Sequence, residues 1–273
     1  MGTKNSTPIK AKRFRGIESA FLVIVCCLIV AVCVFFFVLG DPANFADNDP
    51  VSGHPLNMLG TIFKGGVIVP ILQTLFLTVI VLSIERAIAL MKANGAGKTT
   101  LFVARIKEAL ASGDMKKAQD ICDTQKGCVA SVVISVLKKY EEMEKATNLT
   151  KEQKLATIQQ EVEEATALEL PSLEQNLSVV ATMTTLGTLV GLLGTVLGMI
   201  KSFSALASEG AADSVALSAG ISEALVNTAF GILTGALAVI SYNFFTSKID
   251  KITYAIDEIG FSIVQSYAAT HEH

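Results

Sequence analysis

The sequence is 273 residues long, with 51% hydrophobic and only 17% charged residues. Soluble domains usually carry about 25% charged residues, so this composition excludes an ordinary soluble protein. The net charge of −3 says little by itself, and no nucleic-acid partner is expected. The charge deficit falls in four apolar segments, each long enough to cross a bilayer, which requires about 20 residues. They are Ala20–Leu39, Gly65–Ile84, Leu177–Ile200 and Ala224–Ser247. The predicted fold class is all-α, a polytopic membrane protein with four transmembrane helices.

Residues 1–64 are predicted to form a basic N-terminal tail, the first transmembrane helix and an acidic connector. A cleaved signal peptide is the alternative, because basic residues precede the apolar segment. The apolar core is longer than the roughly 7–15 residues of a signal peptide, however, and no small-x-small site follows Leu39. An uncleaved helix is therefore predicted.

The distribution of lysine and arginine predicts the topology, because these residues are in excess on the cytoplasmic side. Basic residues precede the first span and follow the second and fourth spans, whereas the connectors after the first and third spans are acidic. Both termini, including the tail 248–273, and residues 93–176 are thus predicted to be cytoplasmic. The second span belongs to residues 65–92. Its Glu85-Arg86 pair is interpreted as an anchor for the helix end.

Residues 93–176 are predicted to form helices. The first ends at Ser112-Gly113-Asp114, and the next stretch has a break near Gly127. A further helix begins at Thr150, where Gln153 completes a capping-box pattern. This helix is predicted to continue into the third span with a kink at Pro171, which removes a backbone hydrogen bond.

Neither a nucleotide site nor a metal site is predicted, so no cofactor is expected. The segment Asn94–Thr100 resembles a phosphate-binding loop, but the motif requires glycine where Lys92 stands, and a membrane helix rather than a strand precedes it. A flexible turn is predicted instead. The five cysteines and three histidines show no metal-binding or disulfide pattern.

The third span carries small and polar residues on one helical face. Two interpretations remain open for this face. Small residues let membrane helices pack closely, and hydroxyl groups can line a hydrated path. The residues step by three and four: Thr184, Thr188, Gly191, Thr195, Gly198 and Ser202.

The fourth span places a carboxylate on a similar polar line. Glu223, Asn227, Thr234 and Ser241 share one helical line, and Thr228 lies on the adjoining face. A charged residue within a membrane helix costs on the order of 2.5–3.5 kcal/mol, so it is more typical of an ion path than of a structural position. The alternative is an interfacial glutamate that reaches the outer headgroups.

These segments resemble the MotA/TolQ/ExbB family of energy-transducing membrane proteins, and ExbB most closely. The run Gly191–Met199, followed by Phe203, is similar to the family's glycine-threonine signature, and Gly220–Leu225 with Thr228 to its last membrane helix. The order of spans, Glu85-Arg86, the turn 112–114 and Pro171 also fit, so the similarity covers roughly residues 60–251. Two prolines common in the family are replaced by Thr188 and Leu237, and the first span is additional to the usual three.

The resemblance implies a homo-pentamer in the bacterial inner membrane, surrounding a dimer of a single-span ExbD/TolR-like partner, with residues 177–247 lining the pore. A TonB-like protein would carry force to an outer-membrane receptor, and no enzymatic activity is implied. Thr195 and Thr228 correspond to threonines facing the pore, and Glu223 to the family's membrane glutamate. The predicted ion pathway is completed by residues on the same polar faces: Thr188, Asn227 and Thr234. The first span is expected to be outermost, against the lipid bilayer.

Three other functions stay open at this stage. A TolQ-like role in envelope maintenance would use the same membrane chemistry. A MotA-like flagellar role fits less well, since those proteins commonly have a larger cytoplasmic domain. A passive scaffold would use the small residues for packing only. Protons and sodium ions are not distinguished by the sequence.

Overall fold

The computed structural model describes residues 20–50, 53–209 and 214–271. The basic N-terminal tail and Asp213 of the third connector therefore lie outside the described residues. Within the described ranges the chain is all-α, and four helices are long and apolar enough to cross a membrane. Nine α-helices are present there: α1 Ala20–Val34, α2 Met58–Phe63, α3 Ile68–Ala93, α4 Thr99–Ala111, α5 Met115–Gln125, α6 Gly127–Lys145, α7 Lys151–Glu174, α8 Leu177–Glu209 and α9 Ser214–Thr270.

The chain divides into two compact units. The membrane unit comprises the described parts of Ile17–Arg86 and Asn176–Phe244, and the extramembrane unit comprises those of Ala87–Gln175 and Phe245–His273. Each of the four apolar helices contributes to the membrane unit, whereas the end of α3, from Ala87, and the second half of α9, from Phe245, belong to the extramembrane unit.

The first span shares one buried apolar cluster with all three other spans of the membrane unit. A π-helical turn, Phe35–Leu39, extends α1 to the predicted end of the span. Val23 and Cys27 of α1 are buried in one cluster whose other members come from α3, α8 and α9: Val79, Leu82, Val180, Met183 and Ala238. The opposite face of α1 exposes apolar side chains, including Phe21 and Ile29, as expected for a helix in contact with lipid.

The connector between α1 and α2 is folded. The Asn44 amide donates to the carbonyl oxygens of Val38 at 2.8 Å and Leu39 at 3.2 Å, and its Oδ1 accepts from Asn57 at 2.8 Å. Phe35 stacks on Phe63 with the ring centroids 4.7 Å apart. These contacts connect the end of α1 to α2 and so fix the start of the second span.

The second span differs from its prediction at both ends. Gly65 and Gly66 form a turn before the helix, because Gly66 has a φ of +76°, and α3 begins at Ile68. At its other end α3 continues past Glu85-Arg86 to Ala93. Arg86 is wholly buried and its guanidinium Nη2 lies 2.5 Å from Glu85. The interpretation of this pair as a helix-end anchor was therefore wrong, since a buried ion pair lies inside the helix.

The prediction that α7 runs on into the third span was also wrong. Pro171 lies inside α7, and the interruption comes after Glu174, where Asn176 adopts a φ of +62° before α8 begins at Leu177. The third and fourth spans extend beyond their predicted ends, to Glu209 and into the 57-residue helix α9. Polar residues beyond the apolar segments continue the same backbone hydrogen bonding of the helix. Hydropathy therefore locates the apolar segment but not the end of the helix.

The extramembrane unit packs α4, α6 and α7 with the second half of α9. The rings of Tyr140 and Tyr267 meet edge to face at 4.8 Å, and Lys107 pairs with Glu258 at 2.6 Å. The predicted capping box is confirmed, since Gln153 N donates to Thr150 Oγ1 at 3.3 Å and Thr150 N donates to Gln153 Oε1 at 3.0 Å.

Candidate functional site

The candidate site is built on close contact between the backbones of α8 and α9. A Cβ atom added to Gly191 would lie 2.9 Å from Gly231 Cα, and one added to Gly231 would lie 2.6 Å from the carbonyl oxygen of Gly187. Only glycine permits this approach, which is the small-residue packing known for membrane helices. The packing interpretation of the small face is thus realised within one chain.

The same helix pair brings Thr195 and Thr228 together. Their hydroxyl groups are hydrogen-bonded to each other. Thr195 also donates to the carbonyl oxygen of Gly191 at 3.3 Å and lies 3.4 Å from that of Ala224. Both side chains are half-buried. Either hydroxyl can therefore exchange donor and acceptor roles with the other at a position that is partly open.

The carboxylate of Glu223 forms an ion pair with Lys201. Lys201 Nζ lies 2.9 Å from Glu223 Oε2, and the side chains are 72% and 13% exposed, respectively. Sequence reasoning assigned no role to Lys201. The sequence did contain an indication of this pair. Two antiparallel membrane helices joined by a short connector start and end at the same side of the membrane, so Lys201 near the end of the third span lies opposite Glu223 near the start of the fourth.

The turn at Gly65-Gly66 closes the site around Glu223 and Asn227. A Cβ atom on Gly66 would lie 2.3 Å from Glu223 Oε1, so glycine leaves the space that the carboxylate occupies. The Asn227 amide donates to the carbonyl oxygen of Gly65 at 2.9 Å and is fully buried. Its Oδ1 has no hydrogen-bond partner within the described ranges, and an unsatisfied buried group typically costs about 1–3 kcal/mol.

Further charges lie in the connector beside this turn. Burial lowers the pKa of Lys64, the nearby carboxylate of Asp49 opposes this shift, and the positive charge of Lys201 adds to it. The charged groups around Lys201 and Glu223 therefore include Lys64 and Asp49 of the folded connector.

The remaining two predicted pathway residues have different surroundings. Thr234 is fully buried and donates to the carbonyl oxygen of Phe230 at 2.8 Å. Thr188 is exposed and donates to that of Thr184 at 3.2 Å. The structure thus separates a Thr195–Thr228 pair, a Glu223–Asn227 group at the glycine turn, and these two threonines. Whether ions follow any of them stays a prediction.

The polar faces of the third and fourth spans are partly covered within the single chain. Ser202, Asn227 and Thr234 are fully buried, because the two helices turn these faces toward each other and toward the glycine turn. Thr195 and Thr228 are half-buried, and Thr188 is exposed. The exposed surfaces of both helices are mainly apolar.

Comparison with known proteins adds to this geometry. Residues 132–258 match the family described as the MotA/TolQ/ExbB proton channel family. The chain carries a MotA/TolQ/ExbB family domain. This domain contains all of α8, the whole first half of α9 and every predicted pathway residue. Glu85-Arg86 and the turn at 112–114, which also supported the resemblance, precede the matched residues.

Individual relatives come from both branches of the family. The chain is 41% identical to biopolymer transport protein ExbB-like 3 of Synechocystis sp. over 88 residues, 32% of this chain and 42% of the relative. It is 38% identical to the Tol-Pal system protein TolQ of Pseudomonas aeruginosa over 88 residues, 32% and 38% of the two chains. It is 31% identical to the biopolymer transport protein ExbB of Salmonella typhimurium over 84 residues, 31% and 34% of the two chains. The aligned segments span less than half the length of these three relatives.

Proposed function

We propose that this protein is an ExbB-like subunit of a motor complex driven by the proton-motive force, which energises transport across an outer membrane. The observation that carries the proposal is that α8 and α9 hold both the Glu223–Lys201 pair and the hydrogen-bonded Thr195 and Thr228 inside the proton channel family domain. A carboxyl group takes up and releases protons, and hydroxyl groups can pass them on. Four apolar helices agree with a multi-pass protein, which we place in the bacterial inner membrane with both termini in the cytoplasm.

The energy source suits this assignment. One charge moving through a potential of 100 mV releases about 2.3 kcal/mol. Of the segment Asn94–Thr100, residues 94–98 form the turn between α3 and α4, closed by a hydrogen bond from the Gln125 amide to the Asn94 carbonyl oxygen at 3.1 Å, and the last two residues begin α4. This arrangement lacks the strand that precedes a phosphate-binding loop, which favours the ion gradient over nucleotide hydrolysis.

The proposed assembly is a homo-pentamer around a dimer of an ExbD/TolR-like protein, with a TonB-like protein as the periplasmic partner. Apolar side chains on α8 and α9, among them Leu189, Val196 and Leu225, are exposed in the single chain. Such surfaces suit contact with other helices or with acyl chains. In the ring they would pack against neighbouring copies and the partner's spans, and α1 would face the lipid.

Replacing the carboxyl group of Glu223 tests the proposed function. Glu223→Gln should leave the protein assembled in the membrane and abolish nutrient uptake energised by the host's proton gradient. Glu258→Gln is the matched control, because Glu258 also pairs with a lysine, Lys107 at 2.6 Å, but lies in the extramembrane unit. Uptake at the control level with Gln at position 223 would contradict the proposal.

A TolQ-like envelope-maintenance role is the second candidate, since TolQ proteins are among the similar relatives. Deletion of the gene distinguishes the two functions. An ExbB-like subunit predicts loss of energised uptake with an intact cell envelope, whereas a TolQ-like subunit predicts detergent sensitivity and delayed constriction with normal uptake.

A further inference from the structure

The buried amide of Asn227 has a fixed orientation and an available acceptor. Its Nδ2 donates to the carbonyl oxygen of Gly65 at 2.9 Å. Exchanging nitrogen and oxygen would place two acceptors opposite each other, so the orientation is determined. Oδ1 is then left without a donor in the described part of the chain. A fully buried amide oxygen normally has a partner, which indicates that another state of the protein supplies one.

Glu223 is a side chain that becomes a donor when its carboxylate is protonated. It stands four residues before Asn227 on the same helix, and residues at this spacing are neighbours on the helix surface. In the described state its carboxylate lies against Lys201 at 2.9 Å. Gly66 has no Cβ atom, which leaves space for the Glu223 carboxylate. The carboxyl group therefore has a cationic partner on one side and a neutral acceptor one helical turn away.

Resting on the proposed function, we propose that Asn227 is the positioning residue for the protonated form of Glu223, accepting its hydrogen bond at Oδ1. A proton adds to one carboxylate oxygen, and the net charge that attracts Lys201 is lost. The new O–H group then donates to Asn227 Oδ1. When the proton leaves, the carboxylate has no donor to offer the amide oxygen and returns to Lys201.

This exchange gives proton binding a mechanical result. The glutamate side chain changes partners between α8 and its own helix, so the link between α8 and α9 at Lys201 forms and breaks with each proton. The charged groups that surround the exchange are Lys201 on α8 and, beyond it, Lys64 and Asp49 in the connector.

Nuclear magnetic resonance of the full-length protein in lipid bilayers tests this proposal directly. Val226-Asn227 is the single Val–Asn step in the sequence, so labelling valine carbonyl carbons together with asparagine identifies the Asn227 signals without a variant. The ¹³Cγ resonance of Asn227 is expected to shift as the pH is lowered through the titration of carboxyl groups. In Glu223→Gln the same resonance should stay constant, since the glutamine amide does not titrate.

Three results would overturn the proposal. The first is an Asn227 resonance that does not change with pH in the wild-type protein. The second is an equal shift in Glu223→Gln. The third is a response to sodium ions at constant pH, which would make Oδ1 a cation ligand. Failure here is distinguishable from failure of the proposed function. If Glu223→Gln abolishes energised uptake while the Asn227 resonance never moves, the proton channel function stands and the role of Asn227 falls.

Discussion

Replacing Thr195 with valine separates the two roles that its hydroxyl group can have. Valine keeps the branched shape, so the glycine contacts between α8 and α9 are retained. The substitution removes the hydrogen bond to Thr228, which still has the Ala224 carbonyl oxygen at 3.2 Å as an acceptor. Hydrogen bonds between membrane helices contribute about 0.6 kcal/mol on average and about 1.7 kcal/mol at most. The expected loss of stability is therefore small.

The expected loss of activity is larger if Thr195 lines the proton path. A tenfold decrease in proton-driven uptake corresponds to about 1.4 kcal/mol in the activation free energy, which is more than the average contribution of the lost bond. Thr182→Val is the matched control, because Thr182 lies on the same helix, is exposed, and donates within that helix to the Ser178 carbonyl oxygen at 2.8 Å. Uptake and unfolding in bilayers are measured for both variants. Equal uptake in the two variants would refute the pathway role of Thr195.

Three further predictions follow from the packing, the cysteines and the proposed ring. Gly191→Ala should destabilise the α8–α9 pair by about 1–3 kcal/mol, because the added methyl group meets backbone rather than a flexible side chain. The control Leu192→Ala, on the exposed face, should change the stability little. Unchanged stability of Gly191→Ala in unfolding measurements would contradict the close approach of the two helices. Burial raises the pKa of the Cys122 and Cys128 thiols from 9.0 to about 12, with smaller contributions from Asp123 and Glu169 respectively. The unfolded thiols lose their protons first as the pH rises, so stability should fall between about pH 9 and pH 12, and Cys122→Ala/Cys128→Ala should reduce this fall. In the proposed ring, a cysteine at the exposed Thr188 should crosslink to one in the partner's span, while the native Cys26 and Cys33, exposed on α1, should not; crosslinking from α1 alone would overturn the arrangement.

The sequence predicted those features that depend on local pattern. Apolar length located the four spans, and the Thr150/Gln153 pattern located the start of α7, because both are set within one helix. The glycine and threonine steps on α8 also predicted a face for close contact. The family resemblance supplied the expectation that Thr195 and Thr228 share a site, and the structure brings their hydroxyl groups into contact.

Features that depend on distant parts of the chain were not predicted. Lys201 and Glu223 are 22 residues apart, and Gly65 and Asn227 are 162 residues apart. Their contacts require the folded connector and the glycine turn, which no periodic pattern encodes. The end of α3 was missed for a different reason. In the sequence, a charged residue such as Arg86 after an apolar segment indicates the end of a span. Only the structure shows that Arg86 is buried and paired with Glu85 inside the helix.

The way α1 packs makes it a separable module. In water, uncovering Val79 and Leu82 by removing α1 would cost roughly 25 cal/mol for each Å² of apolar surface. In a bilayer, acyl chains take the place of α1 and are as apolar as the side chains that they replace. The specific losses would be the Phe35–Phe63 stack and the hydrogen bonds that Asn44 makes to the end of the span. Losing the first helix should therefore have little effect on the other three spans, and the connector is a point at which a different segment could be joined to them.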